Sequence, residues 1–509
     1  MVMEKKETPA EVASQNTSNL NRRTFLKAGG AALAASALAM PASSYARILG
    51  ANDRIRLGQL GCGDRSGGHV HMVQTASPTI PVETVAVCDL WSLARERRAA
   101  DVQQRFGQAP RQYKYPEELL KQPDIDGVMI ATGDFQHAKL CMEVVRAGKD
   151  CYVEKPFANV LQEAKDARAV VKGSRQVVQM GTQHRSQPYP LAARDIVRSG
   201  RIGKVMRIEQ EWNVNHERWH GRPEVAELKE QDTDWNRWLL GKPYQPFDPR
   251  VYLEFRLYKK FSSGIFDQWM SHGVDLVHLW TDATAPQSVV TNGGIFVWKD
   301  GRENADTIST TMVYPQGFLY SYSTTFGNSY RPFSRILGTK GTIVNYGGEG
   351  ASLFVVTGEG QEHDPVSYDA PPGNGPATDK AEVVRVDHIP ANTEGPDDDD
   401  PEHLLNWLRA MRDRRTPNAN VDHGFSHAVA CIMATEAYWS GKRVYGTRRK
   451  RKSWTARRRR KLPSWLAICL RWEKRALHKD SARARVLANF VPHSALRVVL
   501  LDLARHQEN

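Results

Sequence analysis

IRLGQLGCGDRSGG, residues 55–68, sets a short apolar run directly against a glycine-rich turn. Residues 55–60 read as a buried strand, because a compact apolar run bounded by turn signals suits the centre of a sheet. Gly61-Cys62-Gly63 follows at once and opens a turn into a helix. In that setting glycines let backbone approach a pyrophosphate, whose charge a helix N-terminus stabilises. The third glycine of G-x-G-x-x-G falls on Ser66, with Gly67 and Gly68 just after, so the pattern is imperfect. The next apolar run, VETVAV (82–87), ends at Cys88-Asp89. An acid there is placed for the hydroxyls of an adenosine ribose and repels a 2′-phosphate, which favours NAD over NADP. The plainer alternative is an aspartate that caps its own strand-to-helix turn.

Outward from this start, strand-like and helix-like runs alternate. Residues 91–106, 136–147 and 161–172 read as helices; 127–132 (GVMIAT), 150–153 and 176–180 (QVVQM) read as strands. Such alternation predicts an α/β fold, a Rossmann-type doubly wound parallel sheet over residues 54–182. Beyond residue 181 the period changes to two. Residues 204–214, 288–298 and 307–326 alternate with few helices between them, which predicts an α+β second domain over 183–445. Its sheet is expected to be large, open and mostly antiparallel. Two helices close it, the first starting at Asp400-Pro401 with Asp as N-cap and Pro at the first helical position.

The chain has 509 residues and a net charge of +13. That charge would point to nucleic acid if it were spread evenly. Instead, residues 446–509 hold 18 Lys and Arg against 4 Asp and Glu, leaving 52 against 53 in residues 1–445. Nucleic acid is therefore not expected as a partner of the main body. The tail reads as a basic arm or as a segment foreign to the fold, such as a read-through in a shifted frame. At the other end, Asn21-Arg22-Arg23-Thr24-Phe25-Leu26-Lys27 precedes a small-residue apolar run from Ala28 to Met40, and Ser44-Tyr45-Ala46 offers a cleavage site. Residues 1–46 thus resemble a twin-arginine export signal, which implies a periplasmic destination for a protein folded around its cofactor. Six cysteines, none in a CxxC pair, read as buried thiols rather than a disulfide framework or metal site.

Three motifs carry chemistry. CYVEKPFANV (151–160) runs an apolar strand straight into Glu154, Lys155 and Pro156. A lysine there is either surface decoration or a group aimed by the strand end, with Pro156 restricting it to extended backbone. His216-Glu217-Arg218-Trp219-His220 matches H-E-x-x-H, but the zinc-site reading needs a helix, and Gly221 and Pro223 follow the match. It reads better as a loop lining a polar cleft, and no metal is expected. Residues 264–280 read as one amphipathic helix on which Gln268 and His272, four apart, share a face. His272 is either a buried helix histidine or an acid/base.

Taken together, GQLGCG (58–63), VAVCD (85–89), ATGDFQHA (131–138), AGKDCYVEKPFA (147–158), QMGTQHRS (179–186), DWNRWLLG (234–241), SSGIFDQWMSHGVDLVHLW (262–280) and WSGKRVY (439–445) resemble the Gfo/Idh/MocA oxidoreductases. The resemblance implies a Rossmann domain followed by a domain whose open sheet often makes subunit contacts, hence a homo-oligomer. It implies NAD held by Gly61, Gly63, Asp89, Thr132 and His137, with the nicotinamide facing Glu154 and Lys155. Lys155 would hydrogen-bond the substrate hydroxyl and assist proton transfer, with His272 as partner acid/base. Gln183, Arg185, Asp267 and Asp275 would lie toward the substrate. The family frequently has aspartate four residues before that histidine, where this chain has Gln268; on an α-helix the adjacent Asp267 would point about 100° away. Gly133 replaces a frequent proline.

The expected activity is NAD-dependent oxidation or reduction of a CH–OH group on a sugar, polyol or glycoside, in an exported enzyme. A second expectation keeps NAD bound and uses transient oxidation for glycoside cleavage, epimerisation or sugar exchange. A third is a sugar-binding or scaffold protein with decayed chemistry. Tryptophans 212, 219, 235, 238 and 269 suit sugar stacking or core packing.

Overall fold

The computed structural model describes residues 54–330, 333–345, 352–357, 382–385 and 401–446. The expected export signal, the expected cap at Asp400, Cys469 and the basic tail beyond Gly446 lie outside the described residues.

Six short strands form the first sheet: β1 (Ile55–Leu60), β2 (Val82–Cys88), β3 (Arg111–Tyr113), β4 (Gly127–Ile130), β5 (Asp150–Glu154) and β6 (Val178–Gly181). All pair in parallel, in the order β3-β2-β1-β4-β5-β6. The chain winds outward from β1 to β3 and then returns to β4. Strand order therefore reverses between β1 and β4, where the carboxyl ends of an open α/β sheet leave a crevice. β4 and β5 are buried along their whole length, as both faces of a helix-covered sheet require. The turn after β1 depends on Gly61, whose φ is +85°. A Cβ there would stand 2.6 Å from the Ala131 carbonyl oxygen, so any larger residue would push β1 and β4 apart.

Nine strands form the second sheet: β7 (Val205–Glu211), β8 (Ser288–Gly294), β9 (Thr307–Tyr314), β10 (Phe318–Thr325), β11 (Phe333–Gly338), β12 (Gly341–Asn345), β13 (Ser352–Thr357), β14 (Glu382–Arg385) and β15 (Val444–Tyr445). Their order is β14-β13-β12-β11-β7-β10-β9-β8-β15. Only β7 and β10 pair in parallel; the other neighbours are antiparallel. Residues 307–326, expected as one alternating run, form the β9–β10 hairpin, buried at every second position. Met312, Tyr320 and Ile336 from this face pack with Val274, Met270 and Ala434 from the helices behind it.

The closing helices do not stay with the second sheet. The helix Pro401–Asp413 returns to the first one, placing Trp407, Leu408 and Met411 in a core with Leu57, Met129 and Tyr152. The helix Val421–Ser440 spans both: Gly424 lies so close to Met180 that a Cβ would stand 2.3 Å from its sulfur. Ala430 and Ala434 meanwhile join the second core. A boundary at residue 182 thus describes chain order but not packing.

One local expectation changes. Residues 264–280 are not a single α-helix. Phe266–Met270 form a π-helical turn, and an α-helix follows over Ser271–Thr281. A π turn carries one more residue than an α turn, so the face on which Asp267 falls is not the one a 3.6-residue period gives.

Candidate active site

The cleft at the reversal point encloses about 290 Å3. Its floor is the end of β1 and the turn Gly61–Gly63, and its side walls include Asp89, Thr132 and Gly133. The helix Asp64–Ala76 starts there with Gly63 as N-cap and no side-chain cap. Asp89 accepts the Cys62 N–H at 2.7 Å and the Trp91 N–H at 2.9 Å, so it does cap its own turn. Burial raises its pKa above the ordinary value, against the pull of those two N–H groups.

These residues fit NAD. Open space surrounds the position where a Cβ on Gly63 would stand. Thr132 Oγ1 is buried on the cleft wall with no hydrogen-bond partner among the described residues. Seven Lys and Arg side chains against four carboxylates line the cleft, a balance suited to a pyrophosphate. Several come from residues 222–256, which follow β7 and close over the nucleotide domain. Arg222 pairs with Asp64 at 2.6 Å, and Gln136 Nε2 donates to the Trp238 carbonyl at 2.6 Å. Trp238, Tyr252 and Phe255 pack with Trp91 and Phe135 beneath this cover.

β5 ends at Glu154, with Lys155 next, beside the cleft: Glu154 is bonded to Arg65, which lines it. Glu154 turns inward: its carboxylate accepts from Arg65 Nε at 2.7 Å, His69 Nε2 at 2.9 Å and Gln183 Nε2 at 3.1 Å. Burial alone would raise its pKa, but the Arg65 guanidinium and the His69 hydrogen bond hold it well below the usual carboxylate range. A Cβ on Gly181, its register partner on β6, would stand 2.7 Å from this carboxyl, so only glycine leaves it room. Lys155 Nζ reaches across to the second domain and donates to the Gln268 carbonyl at 2.6 Å, with Gln268 Oε1 at 3.4 Å. The Lys155–Pro156 peptide is cis.

Around that contact sits a buried acidic pair. Asp134 Oδ2 accepts from Ser262 Oγ at 2.6 Å and Gln268 Nε2 at 2.7 Å. Asp267 is fully buried; its Oδ2 accepts the Ser263 N–H at 2.9 Å, while its Oδ1 has no partner among the described residues. Burial, and then the neighbouring Asp134 charge, push the Asp267 carboxyl up to about 7. His272, in the first turn of the helix that follows, stacks on His184 at 4.7 Å between ring centres. Trp212 lies 6.3 Å from His272 and stacks on Trp269 at 5.2 Å, extending an aromatic wall from the histidine.

Lys155, Gln268 and Asp267 therefore come together, and His272 sits one turn along the same helical segment. Other expected residues are committed elsewhere. Arg185 and Asp275 spend their charges on each other, both buried, with Nε–Oδ2 at 2.9 Å and Nη2–Oδ1 at 3.0 Å. They brace the segment after β6 against the helix Ser271–Thr281. His137 stands between two carbonyls, Nδ1 at 2.8 Å from Pro156 O and Nε2 at 3.2 Å from Thr132 O. It ties the lysine turn to the cleft wall. Gln183 is buried against Glu154 and Tyr152. Residues 215–222 form a loop in which His220 Nδ1 lies 3.3 Å from Glu217, and among the described residues no His, Cys, Asp or Glu cluster is arranged to hold a metal. The described cysteines are buried free thiols.

Sequence reading missed Arg65, His69, Asp134, Ser262 and the Arg222–Arg256 cover. Asp134 lay within a quoted motif, but nothing local signals that a residue 134 positions away will bond it.

Residues 55–182 match the oxidoreductase family GFO_IDH_MocA, NAD-binding Rossmann fold, and residues 234–445 match its C-terminal alpha/beta domain. Inositol 2-dehydrogenase 2 of Saccharopolyspora erythraea is 28% identical over 194 residues, 37% of this chain and 54% of that protein. Glycosyl hydrolase family 109 protein 2 of Shewanella sp. (strain ANA-3) is 27% identical over 243 residues, 43% of this chain and 50% of that protein. The chain thus spans about half the length of these curated relatives. Among solved structures, levoglucosan dehydrogenase in complex with NADH and levoglucosan superposes with a TM-score of 0.57 at 18% identity, covering 77% of this chain and 99% of that one. The WlbA dehydrogenase from Bordetella pertussis, in complex with NADH and UDP-GlcNAcA, gives 0.54 at 18% identity, covering 78% and 99%. The Rossmann sheet, the second sheet and both family matches agree: the chain belongs to the Gfo/Idh/MocA oxidoreductase family.

Proposed function

We propose that the protein is an NAD-dependent oxidoreductase acting on a CH–OH group of a sugar, polyol or glycoside. The observation that carries this is Lys155, set at the end of β5 beside the nucleotide cleft and tied to Gln268 of the second domain. When bound, the nicotinamide accepts or returns a hydride. Gly61, Gly63 and the uncapped helix start would hold the pyrophosphate, and Asp89 and Thr132 would take the ribose side. In the oxidising direction the neutral Lys155 amine accepts the proton of the reacting hydroxyl, and in the reducing direction the ammonium returns it; the Gln268 carbonyl keeps Nζ on target. His272, fixed by the His184 stack, is its partner acid/base. Asp267, with its carboxyl pushed up near neutrality, supplies the negative charge or the proton beside them. A screen of neutral and acidic sugars, polyols and glycosides for NAD reduction tests this reading. No absorbance growth at the NADH wavelength and no cofactor binding would overturn it.

A second reading is favoured by the cover over the cleft. Closure by Arg222 and Trp238 suits an NAD that stays bound and is used transiently, and similarity to glycosyl hydrolase family 109 proteins points the same way. NAD that co-purifies, with turnover of glycosides when none is added, separates it from the ordinary dehydrogenase. Export by the twin-arginine route and assembly through the second sheet belong to the same proposal. Fractionation of a tagged full-length chain and light scattering of the purified protein test each.

A further inference from the structure

Residues 215–221 hold a cation, Arg218, that has no counter-charge among the described residues. Arg218 is partly buried, and its guanidinium lies over the Trp269 ring at 5.4 Å. Among the described residues no carboxylate pairs with it, and its buried Nε finds no acceptor. Arginines of the nucleotide cleft differ. Arg222 has Asp64, Arg237 has Glu117 and Arg97 has Glu227. Arg256 stands 4.0 Å from Asp134 and lines the nucleotide cleft, which Arg218 does not. Burial, and then repulsion from Arg256, lower the Arg218 pKa, which is the response of a cation that lacks an anion.

The loop that presents Arg218 is held firmly. Arg302 Nη2 donates to the Glu217 carbonyl at 2.9 Å and to the Arg218 carbonyl at 3.4 Å, and Arg302 is itself paired with Asp300. Trp219 occupies the left-handed region at φ 69°, a conformation unfavourable for a bulky residue, and packs its ring edge-on against Phe326. Strain of this kind persists only where the surroundings over-determine it, and it concentrates at sites that bind. The same indole under Arg218 stacks on Trp212, whose ring reaches toward His272. The free guanidinium thus shares a wall with the proposed acid/base histidine.

We propose that Arg218 binds a carboxylate of the substrate, so that the sugar handled here is an acidic one, a uronate. The inference rests on the oxidoreductase reading above and adds the substrate class. A single planar fork stacked on an indole matches the two oxygens of a carboxylate; a phosphate dianion is more often met by several cations.

The test uses the full-length protein saturated with NAD and calorimetric titration of matched pairs: glucose and glucuronate, galactose and galacturonate, mannose and mannuronate. In at least one pair the acid should bind about tenfold more tightly, the effect of one charge-assisted contact. In Arg218→Met, which keeps the packing on Trp269, that preference should fall to about twofold or less; Arg218→Lys should keep part of it. NAD affinity, measured in the same variants, should not move, and it reports that they fold. The proposal is overturned if no pair favours the acid, if the preference survives in Arg218→Met, or if hexose phosphates outcompete every uronate. Failure of the wild type to bind NAD would instead overturn the reading on which it rests.

Discussion

Replacing Asp267 by Asn removes one buried charge beside Lys155 and leaves the fold's shape almost untouched. The Asn oxygen still accepts the Ser263 N–H; the amide nitrogen falls where Oδ1 has no partner, a cost that does not vary with pH. The carboxyl, by contrast, is pushed from its ordinary 3.8 up to about 7. Below pH 4 the carboxyl is protonated in both folded and unfolded chains. Between pH 4 and 7 the unfolded chain ionises first, so the wild type loses stability relative to Asp267→Asn as pH rises through that window. At about 1.4 kcal/mol per unit, the shift sets a ceiling of about 4 kcal/mol. Urea unfolding of both proteins at pH 5 and pH 8 should show the variant gaining on the wild type by a few kcal/mol between the two. An equal difference at both pH values would refute the buried-charge account, because the lost Asn contacts contribute equally at each.

Glu154 behaves in the opposite sense, since its folded pKa is depressed. Glu154→Gln should cost about 3–5 kcal/mol near pH 7, the usual effect of breaking a buried ion pair, and the penalty should shrink as pH falls below about 4.3. Urea unfolding at pH 7 and pH 3 checks it, and a penalty undiminished at pH 3 counts against the Arg65–His69 clamp. Asp89→Asn keeps an acceptor for one of the two N–H groups but removes the charge; it should weaken NAD binding and narrow the preference over NADP, as read from paired fluorescence titrations. Arg222→Ala opens the link to Asp64 across the cleft and should speed NAD release in stopped-flow chase, whereas an unchanged rate would show that the cover does not retain the cofactor.

Five strands of the first sheet were legible because each holds a short apolar run near turn residues; β3, the polar Arg111–Tyr113, was not expected. Leu161–Lys172 matches its expected bounds, and the other elements given bounds differ by a few residues at most, while the helix Pro116–Leu120 was not expected. The strand-end placement of Lys155 followed from CYV running into Glu-Lys-Pro. Pairings at long range were not legible. The spacing of Leu404, Trp407, Leu408 and Met411 announces a helix face but not that β1 and β4 will receive it. Nor does any local pattern say that Arg185 and Asp275 will consume each other's charges, or that His137 will face two carbonyls. The π turn at Phe266–Met270 arises from backbone hydrogen bonding that side-chain periodicity does not encode, and it changes how Asp267 is placed beside Lys155.

The central claim is that Lys155 moves the proton of the reacting hydroxyl. Its direct test is NAD reduction by wild type and Lys155→Ala, followed at the NADH wavelength on the sugars that the binding panel identifies, with NAD affinity measured alongside. The account predicts at least about a hundredfold loss of kcat with NAD affinity within about twofold. Full turnover by Lys155→Ala would contradict it.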